Sequence, residues 1–306
     1  MKSSYLSLNP FIHWMKEKHP VEWPEKFGRS AELEVEIGFG LGDFLIQQAK
    51  THPEKNYLGI ELGWVYVRRT LKKINLAGVN NVRVMQADIK VALERAFLEK
   101  SLQSACSLFP CPWPKKKHAK FRLFSNGFLK LVNSRIADDG GVLVVTDSRS
   151  YLEWILSQVS GTGFEVCSKM VPPSFSTKYE RKWVASGREK FYELRLTKHR
   201  HIEIPVKEDM HLITYRVDNF NPDRFEPPKS RGQIMVAFKE TLYDPKQQKG
   251  MVRSVVGEDN LVQDFWIEIV RKEKLWHIRP AKGCSILPTA GVQRALDLVY
   301  ITTRGG

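Results

Sequence analysis

Short apolar runs alternate with helix-length amphipathic segments from residue 32 onward, and this alternation limits the folds that the chain can adopt. "LEVEIGF" predicts a buried strand, "DFLIQQAKTH" a helix and "NYLGIEL" a second strand. A third strand follows in "NVRVMQAD" and a weaker fourth in "QSACSLF". "NGFLKLVNSRIADDGG" predicts a helix that stops at its glycines, and "VLVVTD" a fifth strand. Strands that alternate with helices form a mostly parallel sheet with helices on both faces, and such sheets bind ligands at the carboxyl ends of their strands. The sequence therefore predicts an α/β fold of the Rossmann-like type.

A different pattern begins after residue 205, where strand-like runs follow one another without helices between them. Turn residues separate five such runs, from "HLITYRV" to "LWHIRP", and "TAGVQRALDLVY" predicts a closing helix. With 306 residues, 42% of them apolar, the chain is long enough for two domains. We predict a first domain over 1–205 and a smaller α+β domain over 206–306.

The net charge favours an anionic partner. The chain carries 48 Lys and Arg against 34 Asp and Glu, a formal charge of +14. Residues 1–205 hold 32 and 21 of these, whereas residues 206–306 hold 16 and 13, so the excess lies mainly in the first domain. No basic amphipathic helix is evident, and a nucleic acid is a better fit than a membrane.

The amino-terminal segment and the cysteines indicate the compartment. "MKSSYLSLNPFIHWMKEKHP" resembles neither a signal peptide nor a spanning helix. The four cysteines form no CxxC pair and no metal-ligand set with the eight histidines. We expect a reduced cytoplasmic enzyme without a metal and without a membrane association.

A glycine-rich turn, "EIGFGLGDF", directly follows the first predicted strand. Gly38, Gly40 and Gly42 have GxGxG spacing, which differs from the GxGxxG of dinucleotide binders. Glycines at this point let the backbone approach a ligand closely. Glu36, at the end of the strand, is placed to accept a hydrogen bond from a cationic amino group, such as that of S-adenosylmethionine.

Two more acids end the next two predicted strands. Glu61 closes the second strand, where a carboxylate accepts hydrogen bonds from both hydroxyls of a ribose. Asp88 follows the third strand and is within reach of an adenine amino group. Acids at three successive strand ends favour a methyl-donor site over a nicotinamide site or a degenerate pocket.

The fourth predicted strand leads into "LFPCPWPKKKHAKFR", residues 108–122. Its three prolines stiffen the segment and exclude a helix. Trp113 offers a face on which a base can stack, and the lysines, Lys115 among them, offer phosphate contacts. The alternatives are a core tryptophan beneath an ordinary solvated loop.

Together with "TD" after the fifth strand and "PPSFSTKYER" further on, these motifs resemble those of the bacterial tRNA (guanine-N7)-methyltransferases. The resemblance extends from about Glu32 to Leu196. This family uses S-adenosylmethionine to methylate a guanine in the variable loop of tRNA. The resemblance implies the class I methyltransferase fold, S-adenosylmethionine as the cofactor and tRNA as the partner; it leaves monomer and homodimer open.

The resemblance also implies roles for individual residues. The cofactor contacts would be Glu36, Gly38, Gly40, Glu61 and Asp88. The contacts to the tRNA or its guanine would be Lys115, Asp147, Thr177, Lys178, Tyr179 and Glu180.

Cys111 is the main departure from the family pattern, because the family has its catalytic aspartate there. Lysines near a thiol favour the thiolate, which would restore a negative charge. Asp147 and Glu180 are carboxylates that could take over the role of this aspartate. The alternative interpretation of Asp147 is a helix N-cap. Two other functions stay open: a cytosine-5 RNA methyltransferase with Cys111 as its nucleophile, and a catalytically silent tRNA-binding paralogue.

Overall fold

The computed structural model describes residues 6–305, apart from the side chain of Lys116, and these residues form two compact units. The first unit contains the residues up to Trp14 and His19–Lys207. The second contains Met15–Lys18 and the residues from Glu208 onward. The division falls two residues beyond the predicted boundary.

A seven-stranded sheet forms the centre of the first unit. Its strands are β1 (Leu33–Ile37), β2 (Asn56–Glu61), β3 (Val82–Gln86), β4 (Leu102–Leu108), β5 (Ile136–Thr146), β6 (Phe164–Val171) and β7 (Phe191–Lys198). They lie in the order β3-β2-β1-β4-β5-β7-β6. All neighbours are parallel except β7, which runs antiparallel to β5 and β6.

Seven α-helices accompany this sheet among the described residues. They are α1 (Trp23–Phe27), α2 (Asp43–Thr51), α3 (Trp64–Ala77), α4 (Ile89–Arg95), α5 (Asn126–Arg135), α6 (Arg149–Gln158) and α7 (Lys178–Ala185). Five consecutive residues of β2 are buried, so the sheet is covered on both faces at that strand. The topology confirms the predicted class I methyltransferase fold.

One predicted helix is shorter than the sequence indicated. The run "NGFLKLVNSRIADDGG" was expected to stay helical up to its glycines, but α5 ends at Arg135 and Ile136 already begins β5. Gly140 does not stop a helix there. A Cβ atom at Gly140 would lie 2.3 Å from the carbonyl oxygen of Gln103, so glycine is needed because β4 and β5 approach closely.

The second unit is an antiparallel sheet with one long helix. Its strands are β8 (Tyr215–Val217), β9 (Ile234–Asp244), β10 (Lys249–Glu258), β11 (Leu261–Lys272) and β12 (Leu275–Pro280), in the order β8-β12-β11-β10-β9. Helix α8 (Ala290–Gly305) packs against the sheet, and Leu296 and Val299 enter a core with Phe265 and Trp276. This confirms the predicted smaller α+β fold, although the run "HLITYRV" forms a strand only over its last three residues.

Within residues 6–305, no helix is both long and apolar enough to cross a membrane. No group of three or more His, Cys, Asp or Glu side chains is arranged to hold a metal ion in this part of the chain.

Candidate functional site

A cavity of about 570 Å³ lies at the carboxyl edge of strands β1 to β4. Predicted cofactor residues and residues of the loop after β4 line it together. They include Gly38, Gly40, Glu61, Asp88, Cys111, Trp113 and Tyr179. The structure therefore brings together five of the six sequence regions in which site residues were predicted; the region of Asp147 is not part of this lining.

The glycine turn after β1 needs glycine for its backbone conformation. Gly38, Gly40 and Gly42 all have positive φ angles, between 54° and 72°. At Gly38 and Gly40 a Cβ atom would meet nothing within 4 Å, so the space beside these two residues is open to a ligand. Gly42 is different, because its Cβ atom would lie 2.4 Å from the side chain of Thr70.

Glu36 is buried behind this turn, with only 4% of its surface exposed. One of its carboxylate oxygens, Oε2, has no hydrogen-bond partner. Burial raises the pKa of Glu36 to about 8, against a lowering by the Leu45 backbone, and the negative charges of Asp43 and Glu61 raise it further. An acid of this kind is suited to receive a cationic group from a ligand.

Glu61 ties the end of β2 to the glycine turn. Its Oε2 accepts a hydrogen bond from the Gly40 amide at 3.2 Å, and its Oε1 accepts from the amides of Leu62 and Gly63 at 2.9 and 3.2 Å. Asp88 is the N-cap of α4 and accepts from the Lys90 amide at 2.8 Å. Both carboxylates line the cavity while they shape its walls.

The loop after β4 has a strained backbone. Phe109 and Trp113 have positive φ angles of 57° and 43° although neither is glycine. Arg122 holds the loop from within, because it donates to the carbonyl oxygens of Pro112 and Trp113 at 3.0 and 3.2 Å. Its guanidinium also lies 5.1 Å from the ring centre of Trp154. These contacts of Arg122 stabilise the conformation of the loop.

The other predicted residues of this loop face the cavity or the solvent. Trp113 is half-buried, and its ring lies 5.4 Å from the ring of Phe121. Cys111 is exposed and lines the cavity, as does Lys120. Lys115 is exposed outside the lining. The loop therefore presents a ring, a thiol and several cations at one edge of the cavity.

The segment before α7 is organised by Glu180, which is 4% exposed. Its carboxylate accepts hydrogen bonds from the amides of Ser174, Phe175 and Ser176, the first two at 2.7 and 3.0 Å. Thr177 caps α7 by accepting from the Glu180 amide at 3.1 Å. Both side chains are engaged inside the segment. These bonds shape the turn, and the contacts to the tRNA or its guanine that the resemblance implies for both residues stay predictions.

Lys178 and Tyr179 are the residues that this turn carries to the site. Tyr179, which is 44% exposed, lines the main cavity and a smaller one of about 30 Å³ beside it. Lys178 lines the smaller one, together with Glu36 and Gly38. The turn thus lies beside the glycine turn.

Asp43, which the sequence reading missed, connects these two turns. Its carboxylate forms ion pairs with Lys73 of α3 and with Arg181 of α7, the second at 2.9 Å. Burial alone would raise the pKa of Asp43, but hydrogen bonds from Lys73 and Arg181 hold that pKa below its usual range. Arg181 also donates to the Ser176 carbonyl oxygen.

Asp147 follows β5 and is half-buried. It does not line the main cavity, and its carbonyl oxygen accepts from Arg188 at 2.9 Å. The alternative reading of Asp147 as a helix N-cap was wrong, because Ser148 caps α6 by accepting from the Tyr151 amide.

Known proteins share much of this chain. Residues 30–193 match the family model described as "Putative methyltransferase". A tRNA (guanine-N(7)-)-methyltransferase of Chlorobium phaeobacteroides is 41% identical over 171 residues, which are 56% of this chain and 84% of that protein. Proteins of the same name from Aquifex aeolicus and Deinococcus radiodurans are 28% and 29% identical over 297 and 280 residues, or 94% and 87% of this chain and 97% and 87% of their own lengths. The Chlorobium alignment covers fewer residues than the first unit contains. The Aquifex and Deinococcus alignments are longer than the first unit, so they also include residues of the second unit.

Proposed function

The chain belongs to the tRNA (guanine-N7)-methyltransferase family, and from this membership we propose that it methylates N7 of a guanine in the variable loop of tRNA. The observation that supports this most is that a single cavity is lined both by the glycine turn with its strand-end acids and by the loop after β4. A methyl transfer needs donor and acceptor side by side in such a shared space. Because tRNA is the substrate, we also propose that the protein acts in the cytoplasm.

S-adenosylmethionine is the cofactor, and the residues at the main cavity and at the smaller cavity beside it fit its groups. The unpartnered oxygen of Glu36 suits the ammonium of the methionyl part. Glu61 would accept hydrogen bonds from the ribose hydroxyls and Asp88 from the adenine amino group, with the backbone of Gly38 and Gly40 against the ligand. The volume of about 570 Å³ is within the range of small-molecule sites.

When bound, the cofactor supplies a methyl group on a positively charged sulfur, and the transfer moves that positive charge onto the guanine ring. Guanine N7 has an in-plane lone pair, so no residue has to remove a proton from it. The protein's task is to hold the base in line and to stabilise the charge.

We assign the guanine to the space between the loop after β4 and the turn before α7. Trp113 and Tyr179 offer rings from these two segments for stacking. Lys115 and Lys178 would contact phosphates. Asp147, at the end of β5 and outside the cavity lining, would contact the guanine as a catalytic carboxylate. Glu180 and Thr177 would hold the turn in position.

Cys111 takes the place of the family's aspartate. A thiol is a weak acceptor, so it would align the base and stabilise the product charge less well than a carboxylate. Because N7 needs no deprotonation, we propose that Cys111 lowers the rate without abolishing the reaction.

Mass mapping of a tRNA pool after incubation with the protein and isotope-labelled S-adenosylmethionine tests the proposal. We expect the label on N7 of a variable-loop guanine. Label on C5 of a cytosine, together with a covalent adduct on 5-fluorocytosine tRNA, would assign the cytosine reaction to Cys111 instead. Cofactor and tRNA binding without any transfer would identify a silent paralogue.

A further inference from the structure

Helix α3 presents a mixed basic and apolar face to the solvent. The residues that it buries are Val67, Thr70, Leu71 and Ile74. At 100° per residue, the opposite side of the helix consists of Val65, Arg68, Arg69, Lys72 and Leu76. All five are exposed, with Val65 at 59% and Leu76 at 85%. We call these five residues the α3 face.

The cations of the α3 face have no counter-charge. Helix α3 has four basic residues and no acidic one. Lys73, outside the face, is paired with Asp43. Arg68, Arg69 and Lys72 form no ion pair or hydrogen bond with any residue that the structure describes. Three exposed charges within five residues repel one another, so an anion that lies across them would be stabilised.

The α3 face starts at the rim of the main cavity. Leu62, two residues before α3, and Tyr66, its third residue, both line that cavity. From Tyr66 to Lys72 the helix rises by about 9 Å. Phosphates recur roughly every 3.4 Å along a stacked strand, so a strand that leaves the cavity passes all three cations within about three nucleotides.

We propose that the α3 face binds the sugar-phosphate backbone of the tRNA close to the nucleotide that is methylated. Arg68, Arg69 and Lys72 contact consecutive phosphates, and Val65 and Leu76 pack against the riboses or bases between them. Trp64, which is 40% exposed at the start of the helix, adds a ring beside the rim. The inference rests on the proposed function and adds a second contact surface to it, apart from the loop after β4.

Charge selects RNA over a protein partner for this surface. An interface between two proteins is depleted of charge at its centre, whereas here the three central side chains are all cationic. Two copies of this face would also repel each other in a symmetric dimer. A polyanion satisfies all three cations at once.

The test compares two double variants with the same change in charge. The first, Arg69→Glu with Lys72→Glu, reverses two charges of the α3 face. The control, Lys50→Glu with Arg200→Glu, reverses two exposed charges at the opposite end of the sheet from the cavity. Lys50 is the last but one residue of α2, shortly before β2, and Arg200 follows the antiparallel β7. For each protein, tRNA affinity is measured at several salt concentrations, S-adenosylmethionine affinity by calorimetry, and tRNA methylation by kinetics.

We expect the first variant to lose tenfold or more in tRNA affinity at low salt. The slope of log K against log salt should shrink by about 1.5, because two phosphate contacts disappear. Its KM for tRNA should rise, while its kcat at saturating tRNA and its cofactor affinity stay close to those of the wild type. The control should change tRNA affinity by less than threefold.

Equal losses of tRNA affinity in the two double variants would show that only the overall charge matters, and would overturn the inference. Unchanged tRNA binding by the first variant would overturn it as well, and so would a wild-type dimer that this variant turns into a monomer in light scattering. Arg69→Gln with Lys72→Gln repeats the test if the reversed charges unfold the protein, which loss of cofactor binding would reveal. Absence of tRNA methylation by the wild type contradicts the proposed function instead, and tRNA binding still decides the role of the α3 face.

Discussion

The fold opposes the ionisation of Glu36. Its pKa of about 8 lies well above the usual value of 4.5 because the side chain is buried. Between these two values the unfolded chain is ionised at Glu36 while the folded protein keeps the proton. The folded state therefore binds more protons, and stability falls as the pH rises through this window.

We predict that replacing Glu36 by Gln removes this dependence. Relative to Glu36→Gln, the ligand-free wild type should lose up to ~1.4 kcal/mol of stability per pH unit between about pH 5 and 8 and nothing further above that. Calorimetric melting of both proteins at intervals from pH 5 to 9 measures the difference. A constant difference in melting temperature across that range would show that Glu36 does not titrate in this way.

Cys111 gives a second prediction at the same scale. Replacing Cys111 by Asp places a carboxylate at the cavity, where charged hydrogen bonds contribute about 1.5–3 kcal/mol. We expect kcat on tRNA to rise by about tenfold or more, with tRNA affinity changed by less than threefold. The control is Cys167→Asp, which alters an exposed cysteine of β6 outside the cavity lining. Lower turnover of Cys111→Asp with intact binding would contradict the proposed role.

Some of the site residues could be predicted from the sequence and others could not. Glu36, Glu61 and Asp88 were predictable because parallel strands bring their carboxyl ends to one edge. Asp43 and Arg181 were not, because they are 138 residues apart and no local pattern pairs them. The orientation of Glu180 could not be predicted either. The same sequence is compatible with a Glu180 side chain in solvent and with one that accepts hydrogen bonds from three backbone amides.

At the scale of elements, the contact between Asp43 and Arg181 joins the start of α2 to α7. The first element follows the glycine turn, and the second carries the turn with Lys178 and Tyr179. Exposed ion pairs of this kind contribute about 1 kcal/mol or less to stability. An ion pair that contributes this little to stability still affects the reaction rate if it fixes the position of a loop, because small displacements of site residues change rates strongly.

We predict that Arg181→Gln raises the KM for tRNA severalfold. The reason is that Tyr179 and Lys178 lose one of the contacts that fix their segment, while the melting temperature should change by only a few degrees. Arg181→Lys should restore part of the effect, because it keeps the charge. The comparison variant is Arg149→Gln, which breaks an exposed pair with Glu153 on α6. Steady-state kinetics that do not distinguish Arg181→Gln from this variant would rule out a positioning role.

At this scale, the sequence predicted the presence of an element better than the residue at which it ends. The fourth strand was correctly placed in "QSACSLF", which became β4 over Leu102–Leu108. The end of α5 was misplaced, because Gly140 was interpreted by its usual role after a helix. Its actual role depends on the distance between β4 and β5, and a single sequence contains no record of that distance.

At the scale of the whole molecule, each unit has its own sheet and core. The second unit buries Trp276, Ile267 and Leu296 among its own residues. The first unit contains all predicted site residues. In the Chlorobium relative, 171 aligned residues make up 84% of the protein, so it lacks room for a second unit of this size. A protein of this name therefore exists without such a unit.

We predict that residues 1–207 fold alone and bind S-adenosylmethionine within about threefold of the full-length affinity. The nearly balanced charge of residues 206–306 leads us to expect a change of less than tenfold in tRNA affinity as well. Calorimetry and filter binding on the truncated and full-length proteins measure both. A truncated protein that melts cooperatively but no longer binds tRNA would instead show that tRNA binding requires the second unit.

The antiparallel direction of β7 decides where the chain leaves the first unit. Because β7 runs back against its neighbours, Lys198 and the following residues emerge at the amino-terminal edge of the sheet, and Ile204 and Lys207 are fastened there by Glu99 and Glu94. The carboxyl ends of β1 to β4, which line the cavity, therefore lie at the opposite end of the sheet from the point where the chain leaves this unit. Proteolysis after Lys207 would leave every residue that lines the cavity on one fragment.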